Sequence, residues 1–107
     1  MTILSHLLGT PFQPDFDGHV LMLEEVSEAM YRIDRSLFHI TGNPAVRRAA
    51  GIMLGRCSDI TPNDPDFGMN EEEVARHWCQ KSGIPWLGRA DIGHDAGNKI
   101  VPFGRTL

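Results

Sequence analysis

Two short apolar runs constrain the fold of this chain more than any other feature. They are H-V-L-M-L-E-E-V at 19–26 and A-G-I-M-L-G-R at 50–56. Each is bounded by turn formers and is too short for a long helix, so each reads as a buried strand. Between them Met30, Ile33, Leu37 and Ile40 recur at spacings of three and four, which places them on one helical face. Ser27 stands where it can cap a helix over about 28–40, and Gly42-Asn43-Pro44 stops it. A strand, a helix and a second strand in that order predict the α/β class.

The flanking segments extend the pattern. Thr2 to Leu8 is a short apolar segment with Gly9 at its end, as at a helix C-terminus. P-F-Q-P-D-F-D-G at 11–18 is a turn-rich loop. Ala45 to Ala49 can add a helical turn with Arg47 and Arg48 exposed. After the loop at 59–68, Asn70 and Glu73 form a variant capping box. The helix it opens carries Val74, Ala75, Trp78 and Cys79 on one face, and Gly83 ends it. A third strand is expected at 84–88 and a fourth at 99–103, the latter at an edge or bulge because of Pro102.

Size and charge narrow the function. A chain of 107 residues is one domain, which buries roughly two-thirds of its unfolded surface. It is too short for an enzyme whose site lies in a crevice between two domains. The net charge is -4 and no basic cluster is present, so nucleic acid is not an expected partner. No apolar stretch approaches the roughly 20 residues of a membrane span. Met1 to Leu8 lacks the basic and small-residue parts of a secretory signal. Cys57 and Cys79 lack metal-ligand spacing and read as reduced, mostly buried thiols of a cytosolic protein.

Few residues offer chemistry. The loop from Asp59 to Asp66 holds three aspartates, but Pro62 and Pro65 interrupt the alternate spacing a calcium loop needs. It reads as a surface loop, and no metal is expected. His6, His39 and His77 lie in helical segments and His19 begins a strand, so each reads as a surface or packing residue. His94 differs, because D-I-G-H-D-A-G places it between glycines, directly after a short strand. Glu24 and Glu25 end the first strand on opposite faces, so only one can serve a given site. A carboxylate and a histidine are two members of a nucleophilic triad. None of Ser5, Ser27, Ser36, Ser58 and Ser82 lies on a strand-to-helix elbow. Ser58 comes nearest, yet Thr61-Pro62-Asn63 follows it in place of a helix that could supply oxyanion donors.

The order of these segments resembles the C-terminal domain of the LD-carboxypeptidases, serine peptidases that include the microcin C7 self-immunity proteins. The resemblance covers nearly the whole chain, so residues 1–107 would be that one domain. L-L-G-T-P at 7–11 and D-F-D-G at 15–18 resemble the segment that enters it. L-M-L-E-E-V-S-E-A-M-Y-R-I-D-R at 21–35 is similar to its first strand and helix. I-M-L-G-R at 52–56 and T-P-N-D at 61–64 resemble the second strand and its loop. G-I-P at 83–85, G-H at 93–94 and N-K-I-V-P-F-G at 98–104 resemble the closing part.

The resemblance implies a swivelling β/β/α layered sandwich and a Ser–Glu–His triad. Glu24 matches the family's glutamate and His94 its histidine. His94 would be the general base and later the acid, with Glu24 holding and polarising it and Glu25 structural. The serine belongs to an N-terminal α/β domain of which this sequence contains nothing, so that domain is the expected partner. Family members act in the cytoplasm without cofactor or metal, and they are commonly dimers. The implied reaction is cleavage of the amide to the terminal D-alanine of murein tetrapeptides, in cell-wall recycling. The immunity branch instead cleaves an amide in an aminoacyl-nucleotide toxin. Ile92 stands where the family often has an aromatic residue, and Phe103 where it has a small aliphatic one; both bear on substrate shape. The chain alone is expected to be inactive, having no serine for His94 to activate. A binding or dimerisation module on the same fold is the rival reading, and the geometry of Glu24 and His94 separates the two.

Overall fold

The computed structural model describes residues 1–106. Helix α1 spans Thr2–Leu7, strand β1 Val20–Val26, helix α2 Met30–Gly42, strand β2 Gly51–Ser58, helix α3 Glu71–Ser82 and strand β3 Trp86–Arg89. A single 3-10 turn, Val46–Arg48, lies between α2 and β2. The three strands form one parallel sheet in the order β1-β2-β3. Both crossovers step in the same direction, which with right-handed connections places α2 and α3 on one face of the sheet. The two helices pack against each other, as that arrangement requires. The chain is therefore α/β, as the alternation of periodicities predicts.

The core lies between the helices and that face. Met30, Ile33, Leu37 and Ile40 of α2 are all buried, as their spacing predicts. They meet Val74, Ala75 and Cys79 of α3 and Leu23, Ile52 and Leu54 of the sheet. β2 is the central strand and its first half is almost wholly buried. β1 is an edge strand in which Leu23 alone is fully buried, so its apolar run is only half covered by the helices.

Three local expectations are corrected. Ser27 is not the cap of α2; Ala29 takes that position and offers no side-chain bond. The reason is that the backbone past β1 stays paired with the far end of β2. The Ser27 N–H donates to the Ser58 carbonyl, Thr61 N–H to the Glu28 carbonyl, and Ala29 bridges to Thr61. Ser27 takes a left-handed φ of 57° in this connection. The third strand starts at Trp86 rather than Ile84, although the Pro85 carbonyl already accepts from Ile52 N–H. The expected strand at 99–103 is not formed. That segment is irregular and mostly exposed, and Val101 and Phe103 instead line a cavity beside β1. It lies on the side of the sheet away from the helices, where an outer layer would sit.

Candidate active site

β1 carries two adjacent carboxylates, and the pleat sends them apart. Leu23 and its partner Leu54 face the helices. Glu25 shares that face and accepts from the Thr2 backbone N–H at 3.0 Å and the Thr2 hydroxyl at 2.8 Å. Burial works to raise the Glu25 pKa, but the Thr2 hydroxyl, the terminal ammonium and backbone N–H groups outweigh it and hold it below the usual value. Glu24 points to the opposite, open face.

There Glu24 meets His94, with 2.6 Å between its Oε2 and the imidazole Nδ1. The side chain of Glu24 is 25% exposed and that of His94 55%, so the carboxylate is sheltered while the ring reaches solvent. A carboxylate in its ionised form only accepts, so in the neutral tautomer that this contact favours Nδ1 carries the proton and Nε2 is left as the acceptor. The pair borders an open cavity of about 460 Å³ that Ile92, Lys99, Val101 and Phe103 also line. Ile92 and Phe103, the two positions the sequence reading tied to substrate shape, both border this cavity.

The backbone explains how residues so far apart in sequence meet. In the β1–β2 ladder, Leu23 pairs with Leu54 but Glu25 pairs with Cys57, so β2 has one extra residue opposite Glu24. Gly55 lies in this bulge. A Cβ there would fall 2.8 Å from the Ile92 carbonyl oxygen and 3.1 Å from the Glu24 Cβ. Only glycine lets the 92–95 loop come down onto the strand at that point. The Arg56 N–H then donates to the Ile92 carbonyl at 2.8 Å.

The loop is also held by side chains. The Arg56 guanidinium grips both oxygens of Asp95, at 2.5 and 2.9 Å, and also donates to Asp91. The Asp95 bond first and the Asp91 bond second raise the Arg56 pKa, and the Arg56 hydrogen bond holds Asp95 below the usual carboxylate range. Asn98 accepts from Gly93 N–H and Asp95 accepts from Gly97 N–H, each at 3.0 Å.

The other histidines lie elsewhere. His39 reaches the Ser5 carbonyl, His19 the Asp17 carbonyl, and His77 packs edge-on to Trp78. No serine side chain among the described residues hydrogen-bonds to His94. The sequence reading names Glu24 and His94, which the structure brings into hydrogen-bond contact, but not Gly55, Arg56, Asp91 and Asp95, which hold the loop there. The available signal is the pair of aspartates bracketing His94, with one arginine, Arg56, in the second half of β2 to answer them.

The chain is thus an α/β domain that holds an imidazole against a carboxylate at an open sheet face. Over residues 1–107 the chain matches the model of the LD-carboxypeptidase C-terminal domain, and it belongs to that family. A protein of Synechocystis sp. assigned as a carboxypeptidase is 36% identical over 104 residues, which are 97% of this chain and 35% of that protein. The crystal structure of muramoyltetrapeptide carboxypeptidase from Oxalobacter formigenes superposes with a TM-score of 0.79 at 27% identity, covering 91% of this chain and 34% of that one. The microcin C7 self-immunity protein MccF shares the fold, with a TM-score of 0.67 at 18% identity over 84% of this chain and 27% of that one. This chain therefore spans about a third of the length of the relatives it matches.

Proposed function

We propose that this domain supplies the glutamate and histidine of a Ser–Glu–His triad in a serine-type LD-carboxypeptidase. The substrate is a murein tetrapeptide and the bond cleaved is the amide to its terminal D-alanine. The 2.6 Å bond between Glu24 and His94 carries this reading. A module kept only for binding has no need of an exposed imidazole pinned by its Nδ1.

The nucleophile comes from an N-terminal α/β domain, the partner implied by the greater length of the relatives. His94 Nε2 takes the proton from the serine hydroxyl as that oxygen attacks the amide carbon. Glu24 steadies the imidazolium and keeps the ring's tautomer. The ring then gives the proton to the departing amine of D-alanine, and the acyl-enzyme is hydrolysed by water through the same base. These steps need no metal or cofactor. The reaction belongs to the cytoplasm, where imported wall fragments are recycled. Among the described residues, no helix is long and apolar enough to cross a membrane.

Release of D-alanine from murein tetrapeptide tests the proposal. The 107-residue chain alone should show no turnover, whereas a two-domain protein containing it should turn over. In the latter, Glu24→Gln should lower kcat on the order of 10⁴-fold through the wrong tautomer, and His94→Ala by at least as much. Serine-type turnover by the chain alone, or full activity of H94A, would overturn it. Cleavage of an aminoacyl-nucleotide amide with murein peptide untouched would move the domain to the immunity branch.

A further inference from the structure

One guanidinium holds both ends of the arc that carries His94. Asp91 and Asp95 lie on either side of the histidine, and Arg56 binds both from the neighbouring strand. Its own backbone N–H holds Ile92, inside the arc. The contact with Asp95 is bidentate, which fixes direction as well as distance. Lys99 adds a looser contact to Asp91 at 3.9 Å.

The arrangement also answers a chemical problem. Asp95 directly follows His94 and borders the same cavity, so a second carboxylate stands close to the imidazole. A carboxylate free to turn could compete with Glu24 for the ring. Both Asp95 oxygens are occupied, by Arg56 and by the Gly97 N–H, leaving Glu24 as the partner of Nδ1.

We infer that Arg56 is a positioning residue for His94, setting the arc so that Nδ1 meets Glu24 and withholding Asp95 from the ring. It acts through the loop, binding Asp95 and Ile92, and is not itself among the residues that line the cavity. The inference rests on the proposed catalytic role for its importance, but its test is independent of activity.

The test uses nuclear magnetic resonance on the 107-residue chain labelled in its histidines and backbone amides. In the wild type, the neutral His94 ring should show a single tautomer with the proton on Nδ1. Arg56→Ala, with core amide signals unchanged, should move both ring nitrogens toward tautomer-averaged values. Exchange at the Gly93 and Gly97 amides should quicken by about two- to fivefold, the range for loss of partly exposed ion pairs. Asp95→Asn tests the clamp with Arg56 in place and should act in the same direction. Arg56→Lys should restore little, since an ammonium cannot grip two carboxylates as a fork. A His94 ring unchanged in both R56A and D95N, or full restoration by R56K, would overturn the inference. Glu24→Gln serves as the separate control. If it leaves the ring unchanged, the catalytic pair fails, while the loop amides still report on Arg56.

Discussion

Gly55 and Ile92 approach so closely that a methyl group on the first would meet the second. The Cβ of an alanine at 55 would lie 2.7 Å from Ile92 Cγ1 and 2.8 Å from its carbonyl oxygen. The side-chain atom can rotate away, but the carbonyl cannot, because it accepts from Arg56 N–H.

Gly55→Ala should therefore lift the 92–95 loop and carry His94 off Glu24. Overpacking of this kind costs about 1–3 kcal/mol. Chemical denaturation measures that loss, and the His94 ring spectrum reads the separation. An unchanged ring in a destabilised protein would mean that the loop follows Arg56 rather than Gly55.

Asn70 caps α3, its Oδ1 accepting from Glu73 N–H at 2.9 Å. Glu71, Glu72 and Glu73 fill the first turn, where the helix dipole favours negative charge. Asn70→Ala should cost about 1 kcal/mol, with the midpoint of denaturation falling and its slope unchanged. Asn70→Ser should keep most of the stability.

How much was legible follows from whether a feature is local. The α2 stripe, the Asn70 cap and the Gly83 stop at φ 79° are set by residues within a few positions of each other, and all are as the sequence predicts. The start of α2 is not local, since Ser27 answers to Ser58 across the sheet rather than to its own helix. The strand expected at 99–103 needed a neighbour to pair with; Val101 and Phe103 border the site cavity instead, and Ile100 is fully exposed. Within the site, the family resemblance named Glu24 and His94, and the two side chains meet in the structure. The bulge at Gly55 and the Arg56 clamp depend on strand register and on loop contacts dozens of residues away, which periodicity does not encode.

Cys57 and Cys79 are both pushed up to about 11, mainly by burial; Glu71 adds to the effect at Cys57. The thiolate is the reactive form, and at pH 8 only about a thousandth of either thiol would be ionised. Labelling by a disulfide reagent in the native protein should run on the order of 100-fold slower than in denaturant. Rapid native labelling of one thiol would mean that its shelter opens readily, and peptide mapping would show which.

Glu25 gives the stability a defined pH dependence. Its pKa is lower in the folded chain than in the unfolded one, because Thr2 and its neighbours favour the charged form. Such a group binds fewer protons when folded, so its contribution is fully present above the unfolded carboxylate pKa of about 4.3. The contribution is lost as the pH falls through the lowered folded value. Denaturation midpoints measured from pH 6 downward should thus decline below about pH 4.5. Glu25→Gln should flatten that decline and lower stability at pH 6 by about 1 kcal/mol, a hydrogen-bonded carboxylate reduced by partial solvent screening. Thr2→Val should reproduce part of both effects, since it removes the hydroxyl and leaves the backbone donor. If E25Q keeps the wild-type acid limb, the dependence belongs to another carboxylate, with Asp95 under Arg56 as the next to test by D95N.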